Sequence, residues 1–290
     1  MVGCEVTGAN DPEMRTAVQP PPREAPHEAI SIAGARHFEV AHNHVHHCIK
    51  EGIDCKETSA HGVIHHNLVH DLKRQGLYVD CWFGLLEDVE FHSNISHHNE
   101  WGLAISAEGK GAAMDNVRIH HNVLHNNRAS GVYFGNWGVN GPRSNIAVYH
   151  NTIVGNGRLQ HWAGPTGGID VRVANLRRVW IVNNIVWGNG AYDIATFAPP
   201  AEREAALVER EILIANNLTG PFREFSGLSE RCGAIHGYSG RDPIEGDPLF
   251  VDPRAGDFRL RPGSPALGAA RKLIAYETGS DLGALGRIQP

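Results

Sequence analysis

Over short stretches of this chain apolar and polar residues alternate with a period of two, and a single asparagine breaks each stretch. The segment Asn116 to Asn136, NVRIHHNVLHNNRASGVYFGN, shows the unit. Val117 and Ile119 alternate with Arg118 and His120, Asn122 interrupts, and Val123 and Leu124 resume the strand. Gly131 then opens another strand, Val132 to Gly135. The register of Asn122 recurs at Asn43, Asn67, Asn94, Asn151, Asn184 and Asn217, at intervals of 24 to 33 residues. A motif repeated at such a period marks a solenoid. Five and three residues before each asparagine stand Phe38 and Val40, Gly62 and Ile64, Val89 and Phe91, Val117 and Ile119, Ile146 and Val148, Val179 and Ile181, and Ile212 and Ile214. All but Gly62 are apolar, so this face is buried.

A second strand is marked by Gly52, Gly76, Gly102, Gly131 and Gly168, with inward pairs running from Ile53 and Cys55 to Ile169 and Val171. No helical period separates the strands, which excludes βαβ units, and no leucine-rich pattern is present. What remains is a coil in which each strand pairs in parallel with its equivalent one turn later, at the ~4.8 Å spacing of strands. The crossover rule makes the coil right-handed. The asparagines then pile up in one file, each amide donating and accepting along the stack. Asparagine also tolerates the left-handed backbone of a tight corner. The expected fold is all-β, a right-handed parallel β-helix of three sheets and about six to seven turns. Residues 1–29 read as a partial first turn and a Pro-rich excursion, 30–235 as the coil, and 236–290 as an irregular C-terminal cap. Within the cap, Asp247 to Ala270 is expected to close the open end; within the coil, Pro199 to Glu211 is the one helical stretch.

Composition narrows the partners. The net charge is −6 with no basic cluster, which argues against nucleic acid. No apolar run reaches the ~18 residues of a membrane span. The opening residues lack the basic and apolar regions of a signal peptide. No capping helix precedes the repeats, as expected for a chain shortened at its N-terminus or capped by another chain. Five cysteines are too few and odd in number for a disulfide framework, and Cys55 and Cys81 fall at inward positions as buried thiols.

The repeated phrases HNTIVGNG and NNIVWGNG, with the tail DPLFVDPRAGDFRLRPGSPALGA, resemble the right-handed parallel β-helix, pectate-lyase-like superfamily, over roughly Ile30 to Gly286. The Arg-x-Pro-x-x-Arg pattern of pectate lyases and the Asn-Thr-Asp pattern of polygalacturonases are absent. The resemblance implies a carbohydrate-active protein working outside the cell or in the periplasm, with a polysaccharide or oligosaccharide as partner. It places the substrate groove on the outer face of the glycine-led sheet.

The outward residues of that sheet are read from the register. Two after each glycine stand Asp54, Tyr78, Ala104, Tyr133 and Asp170; four after stand Lys56, Asp80, Ser106, Gly135 and Arg172. Trp82, Glu108 and Trp137 flank them. Carboxylates and aromatic platforms on one face suit a sugar cleft, with Tyr78, Trp82, Glu108, Tyr133, Trp137, Asp170 and Arg172 as substrate contacts; a solvated, salt-bridged sheet face is the alternative. Lys56 and Asp80 share a row on adjacent turns, ~5 Å apart. A lysine of lowered pKa would abstract the proton beside a uronate carboxylate, giving β-elimination, with Asp54, Asp80 or Glu108 holding a Ca2+ ion. A carboxylate neighbour works against that by raising a lysine's pKa. Alternatively, Asp54 and Asp80 lie ~8 Å apart on the diagonal, a separation that suits the acid and base of an inverting glycosidase. The resemblance tips the expectation toward elimination on a uronate-containing polysaccharide, with the glycosidase as runner-up and a non-catalytic glycan-binding or surface module as the third reading.

Histidines also stand in columns: His46, His70, His97 and His125; His65, His92 and His120; and, directly before the asparagines, His42, His66, His121 and His150. They read either as stacked neutral imidazoles that resist protonation, so that acid loosens the coil, or as metal ligands.

Overall fold

The computed structural model describes residues 1–9, 28–159, 161–275 and 279–286. The excursion expected over Asn10 to His27 lies outside the described residues. After β1 (Glu5–Thr7), each turn of the coil contributes three strands. The first turns are β2 (Ile30–Ala33), β3 (Glu39–Ala41) and β4 (His44–His46), then β5 (Ile53–Lys56), β6 (Ala60–His65) and β7 (Leu68–His70). The middle turns are β8 (Gln75–Cys81), β9 (Gly84–His92) and β10 (Ile95–His97); β11 (Trp101–Ala107), β12 (Ala112–His120) and β13 (Val123–His125); and β14 (Val132–Phe134), β15 (Arg143–Tyr149) and β16 (Thr152–Val154). The last are β17 (Ile169–Val171), β18 (Leu176–Val182) and β19 (Ile185–Trp187), followed by β20 (Ile194–Thr196), the helix α1 (Arg203–Glu209), β21 (Ile212–Ala215) and β22 (Leu218–Thr219).

Like strands pair with like. The first sheet runs β2-β5-β8-β11-β14-β17-β20, the second β3-β6-β9-β12-β15-β18-β21, and the third β1-β4-β7-β10-β13-β16-β19-β22, all in parallel. Among the described residues the coil therefore makes seven turns. The apolar pairs before each asparagine fill its interior; Val89, Phe91, Val117 and Ile119 are wholly buried. The one exception in that pattern has a steric reason, because a Cβ at Gly62 would overlap the ring of Phe38.

The asparagine file forms as expected. The backbone N–H and side-chain amide of Asn94 both donate to Oδ1 of Asn122, at 3.0 Å, and the same double bond runs from Asn43 through Asn217. The left-handed corner, however, falls one residue earlier than expected. His42, His66, Ser93, His121, His150, Asn183 and Asn216 carry positive φ, whereas the file itself does not. Histidine and asparagine are enriched in that conformation, which accounts for the histidine column before the file. The structure adds a second file, Asn99, Asn127, Asn156 and Asn189, ending on Asp193. Glycines make room for it: a Cβ at Gly76 would meet the Asn99 amide at 2.5 Å.

Beyond β22 come two antiparallel hairpins, β23 (Ser226–Ser229) with β24 (Gly233–Gly237), and β25 (Phe250–Asp252) with β26 (Asp257–Leu260). β24 adds to the edge of the first sheet beside β20. The segment Asp247 to Ala270 does not act as a plug on the end of the coil. Phe250, Phe258 and Leu260 pack sideways on the outer face of the third sheet, against Val123, Val154, Ile185 and Leu218. All five cysteines are free thiols, and among the described residues no helix is long and apolar enough to cross a membrane.

Candidate active site

Two rows cross the outer face of the first sheet. Ser31, Asp54, Tyr78, Ala104, Tyr133, Asp170 and Ala195 form one; Ala33, Lys56, Asp80 and Ser106 form the other. Strand alternation points both rows away from the core. At β5 and β8 this face is the floor of a cleft of about 700 Å³, walled by Trp82, Glu108, Trp137 and Trp162. The cleft brings together Asp54, Lys56, Tyr78, Asp80, Trp82, Glu108 and Trp137, as the register predicts.

It does not include Tyr133, Asp170 or Arg172, and a substrate-contact role for them is corrected here. Asp170 and Arg172 form an ion pair at 3.1 Å whose two side chains are wholly buried. The Arg172 guanidinium also donates to the carbonyls of Pro165 and Gly233, so the loop before β17 and the hairpin after β22 lie over it. Tyr133 is wholly buried with Trp101, Ala163 and Cys232, and its hydroxyl donates to Asn136. Outward orientation is not exposure here, because chain outside the repeats covers the face.

Within the cleft the charges are few and tightly held. Lys56 Nζ donates to Glu28 Oε1 at 2.7 Å and stands 3.4 Å from Asp54 Oδ2. Although burial opposes it, these carboxylates hold the ammonium well above the usual lysine range. A lysine held protonated in this way is a poor base, which weighs against Lys56 as the base of an elimination. Asp80 behaves in the opposite way. Burial, reinforced by the charge of Glu108, pushes its carboxyl up to about 8. Burial and the neighbouring Asp80 push Asp54 up as well. The two aspartates are buried side by side, so two full charges on adjacent rungs are disfavoured. The Trp82 indole N–H donates to Asp80 Oδ2 at 3.0 Å, and Asp80 Oδ1 is buried without a partner. A proton on Asp80 thus belongs on Oδ1. Asp54 Oδ1 and Glu28 Oε2 are likewise buried and unpartnered.

The Tyr78 hydroxyl donates to the Glu108 carboxylate, and burial raises the pKa of both. Asp54, Asp80 and Glu108 do not converge: no group of three ligand atoms within 4.8 Å among the described residues includes them. Sequence reasoning missed Glu28, which lies before the first repeat and carries no periodic signal. It also missed Trp162 and His161, which arrive on the insertion before Gly168 and both donate to Glu100 Oε1 at 2.8 Å.

Residues 3–140 match the family model described as "Right handed beta helix region". No curated protein matches the sequence. Among solved structures, a periplasmic alginate epimerase variant superposes with a TM-score of 0.47 at 17% identity, over 67% of this chain and 40% of the epimerase. This chain thus spans less than half of that protein's length. A pectate lyase superposes with a TM-score of 0.45 at 14% identity, over 90% of this chain and 70% of the lyase. With three ladders of like strands pairing turn on turn, and that family match over residues 3–140, the chain is a right-handed parallel β-helix.

Proposed function

We propose that the protein binds a carbohydrate chain across the β5–β8 face and cleaves it by hydrolysis, with Asp80 as proton donor. The observation that supports this best is the buried, unpartnered Asp80 Oδ1, on a carboxyl whose pKa is raised to about 8, beneath indole walls. A carboxyl that stays protonated at neutral pH is what protonation of a glycosidic oxygen needs. Lys56 draws negative charge to Asp54, the diagonal neighbour, which then receives a proton from the attacking water. Trp82 and Trp162, each about half exposed at 52% and 48%, offer stacking faces to sugar rings. Action outside the cytoplasm belongs to the same proposal. A cleft floored by carboxyls suits a neutral sugar at the cleavage point better than a uronate.

A panel of polysaccharides tests it. Hydrolysis yields new reducing ends without ultraviolet absorption from an unsaturated product, and Asp80→Asn lowers the rate at least about 100-fold. An unsaturated product would restore the elimination reading. Binding that survives Asp80→Asn, with no cleavage of any glycan, would favour a non-catalytic module. A Ca2+ ion at the orphaned oxygens of Asp54 and Asp80 is the alternative to the proton, and loss of activity on chelation would select it.

A further inference from the structure

We propose that Glu5, His44 and His46 form a binding site for a divalent transition-metal ion of the zinc class, on the outer face of the third sheet at its first rung. The site is independent of the cleft, which lies on another sheet. Its geometry follows from strand pairing. His44 and His46 are two apart on β4 and so project to the same side, and Glu5 of β1 sits directly across from His44. Glu5 Oε1 lies 3.1 Å from His46 Nε2 and 3.8 Å from His44 Nδ1. Tetrahedral bonds of about 2.0–2.1 Å put ligand atoms ~3.3 Å apart, between those two values. Two imidazoles and one carboxylate are a zinc ligand set that leaves a position open for water.

The supporting contacts are already in place. His44 Nε2 lies 2.8 Å from His70 Nε2, and His70 Nδ1 lies 2.6 Å from Asp71 Oδ2. The carboxylate can only accept, so His70 Nδ1 carries hydrogen and His70 Nε2 accepts from His44 Nε2–H. That tautomer leaves the His44 Nδ1 lone pair bare and facing Glu5. His46 Nδ1 lies 2.7 Å from His47 Nδ1, and His46 Nε2 shares a proton with Glu5 Oε1, the proton that an ion bound between them would replace. Such outer hydrogen bonds fix tautomer and ring orientation at metal sites.

The constellation does not recur on the following rungs. Leu68, Ile95, Val123 and Thr152 take the place of His44 in the next turns. A second cluster, His42, His65 and His66, is gathered as closely. There, however, all three ligands are imidazoles, and the carboxylate that holds His65 Nε2 at 2.8 Å, Glu39, stands outside the group, whereas Glu5 is itself a ligand at the first rung. An ion at Glu5 would tie β1, which is paired through three residues only, to β4.

Calorimetric titration of the full chain with zinc tests this, with cobalt as a visible spectroscopic probe. One ion per chain is expected, bound at least about tenfold more weakly in His44→Ala, His46→Ala and Glu5→Gln, and unchanged in His66→Ala. Glu5 is two-thirds exposed, so its variant folds. Zinc should also slow amide exchange in β1 in the parent chain but not in Glu5→Gln. Equal zinc affinity in all variants, or loss confined to His66→Ala, would overturn the assignment.

Discussion

Two stretches of one sheet face share strand register and meet different fates. At β5 and β8 the outward residues Asp54, Lys56 and Asp80 floor an open cleft. At β14 and β17 the outward residues Tyr133, Asp170 and Arg172 are sealed beneath the loop before β17 and the β23–β24 hairpin. The sealed end satisfies its charges internally, as a fully buried ion pair with three further acceptors on Arg172. The open end leaves three carboxylate oxygens without partners. Complete pairing is what a structural site needs, and unpaired groups facing a cavity are what a reacting or binding site needs.

The largest effect that should separate the two regions is on stability. Arg172→Ala strands the buried Asp170 carboxylate and is expected to cost about 3–5 kcal/mol in urea unfolding. Asp80→Asn, compared at pH 4 where the carboxyl is protonated in the folded state and largely so in the unfolded one, should change stability by less than about 1 kcal/mol. Equal losses would dissolve the distinction. Next in size is the asparagine file, which runs behind both regions alike. Asn122→Ala removes the acceptor of two Asn94 donors and should cost about 2–3 kcal/mol.

The histidine columns repeat the contrast on the other faces. Rings stack at 4.8 Å from His70 to His97 and from His97 to His125, where Phe258 closes the column. Burial, with neighbouring imidazoles, lowers His97 to about 4 and His125 to about 3; His92 and His121 also fall to about 4. These folded values lie below the ordinary 6.5, so the stability they contribute is present above pH 6.5 and is lost as pH falls toward 4. Thermal melting should drop by roughly 10 °C between pH 7.5 and 5, with His125, at the sealed end, protonating after His97 in an NMR titration. The smallest effect has the opposite sign of pH dependence. The raised pKa of Asp80 makes its contribution present at low pH and lost as pH rises toward 8. Asp80→Asn should therefore be more stable than the parent at pH 9 and equal to it at pH 4.

The coil itself was legible because its causes are periodic. The Asn43–Asn217 file, the apolar pairs and the glycine column each repeat once per turn, and the neighbours Lys56 and Asp80 follow from register alone. The second file, five residues after the first, was harder to see. Cys48 and Leu72 hold its place in the early turns, so its period starts only at Asn99. What covers the sheet was not legible at all. His161, Trp162 and Gly233 belong to segments without a repeat, and nothing in their spacing says which strand they lie on. The charge state of Lys56 depended in the same way on Glu28, a residue outside every turn.

The files of amide hydrogen bonds bind each revolution only to the one before and the one after. Under a stretching force such a molecule should not rupture in a single event. It should peel from an end, one revolution at a time. Each revolution of 24 to 33 residues would then release roughly 80–115 Å of slack chain, a sawtooth whose spacing widens toward the C-terminal side.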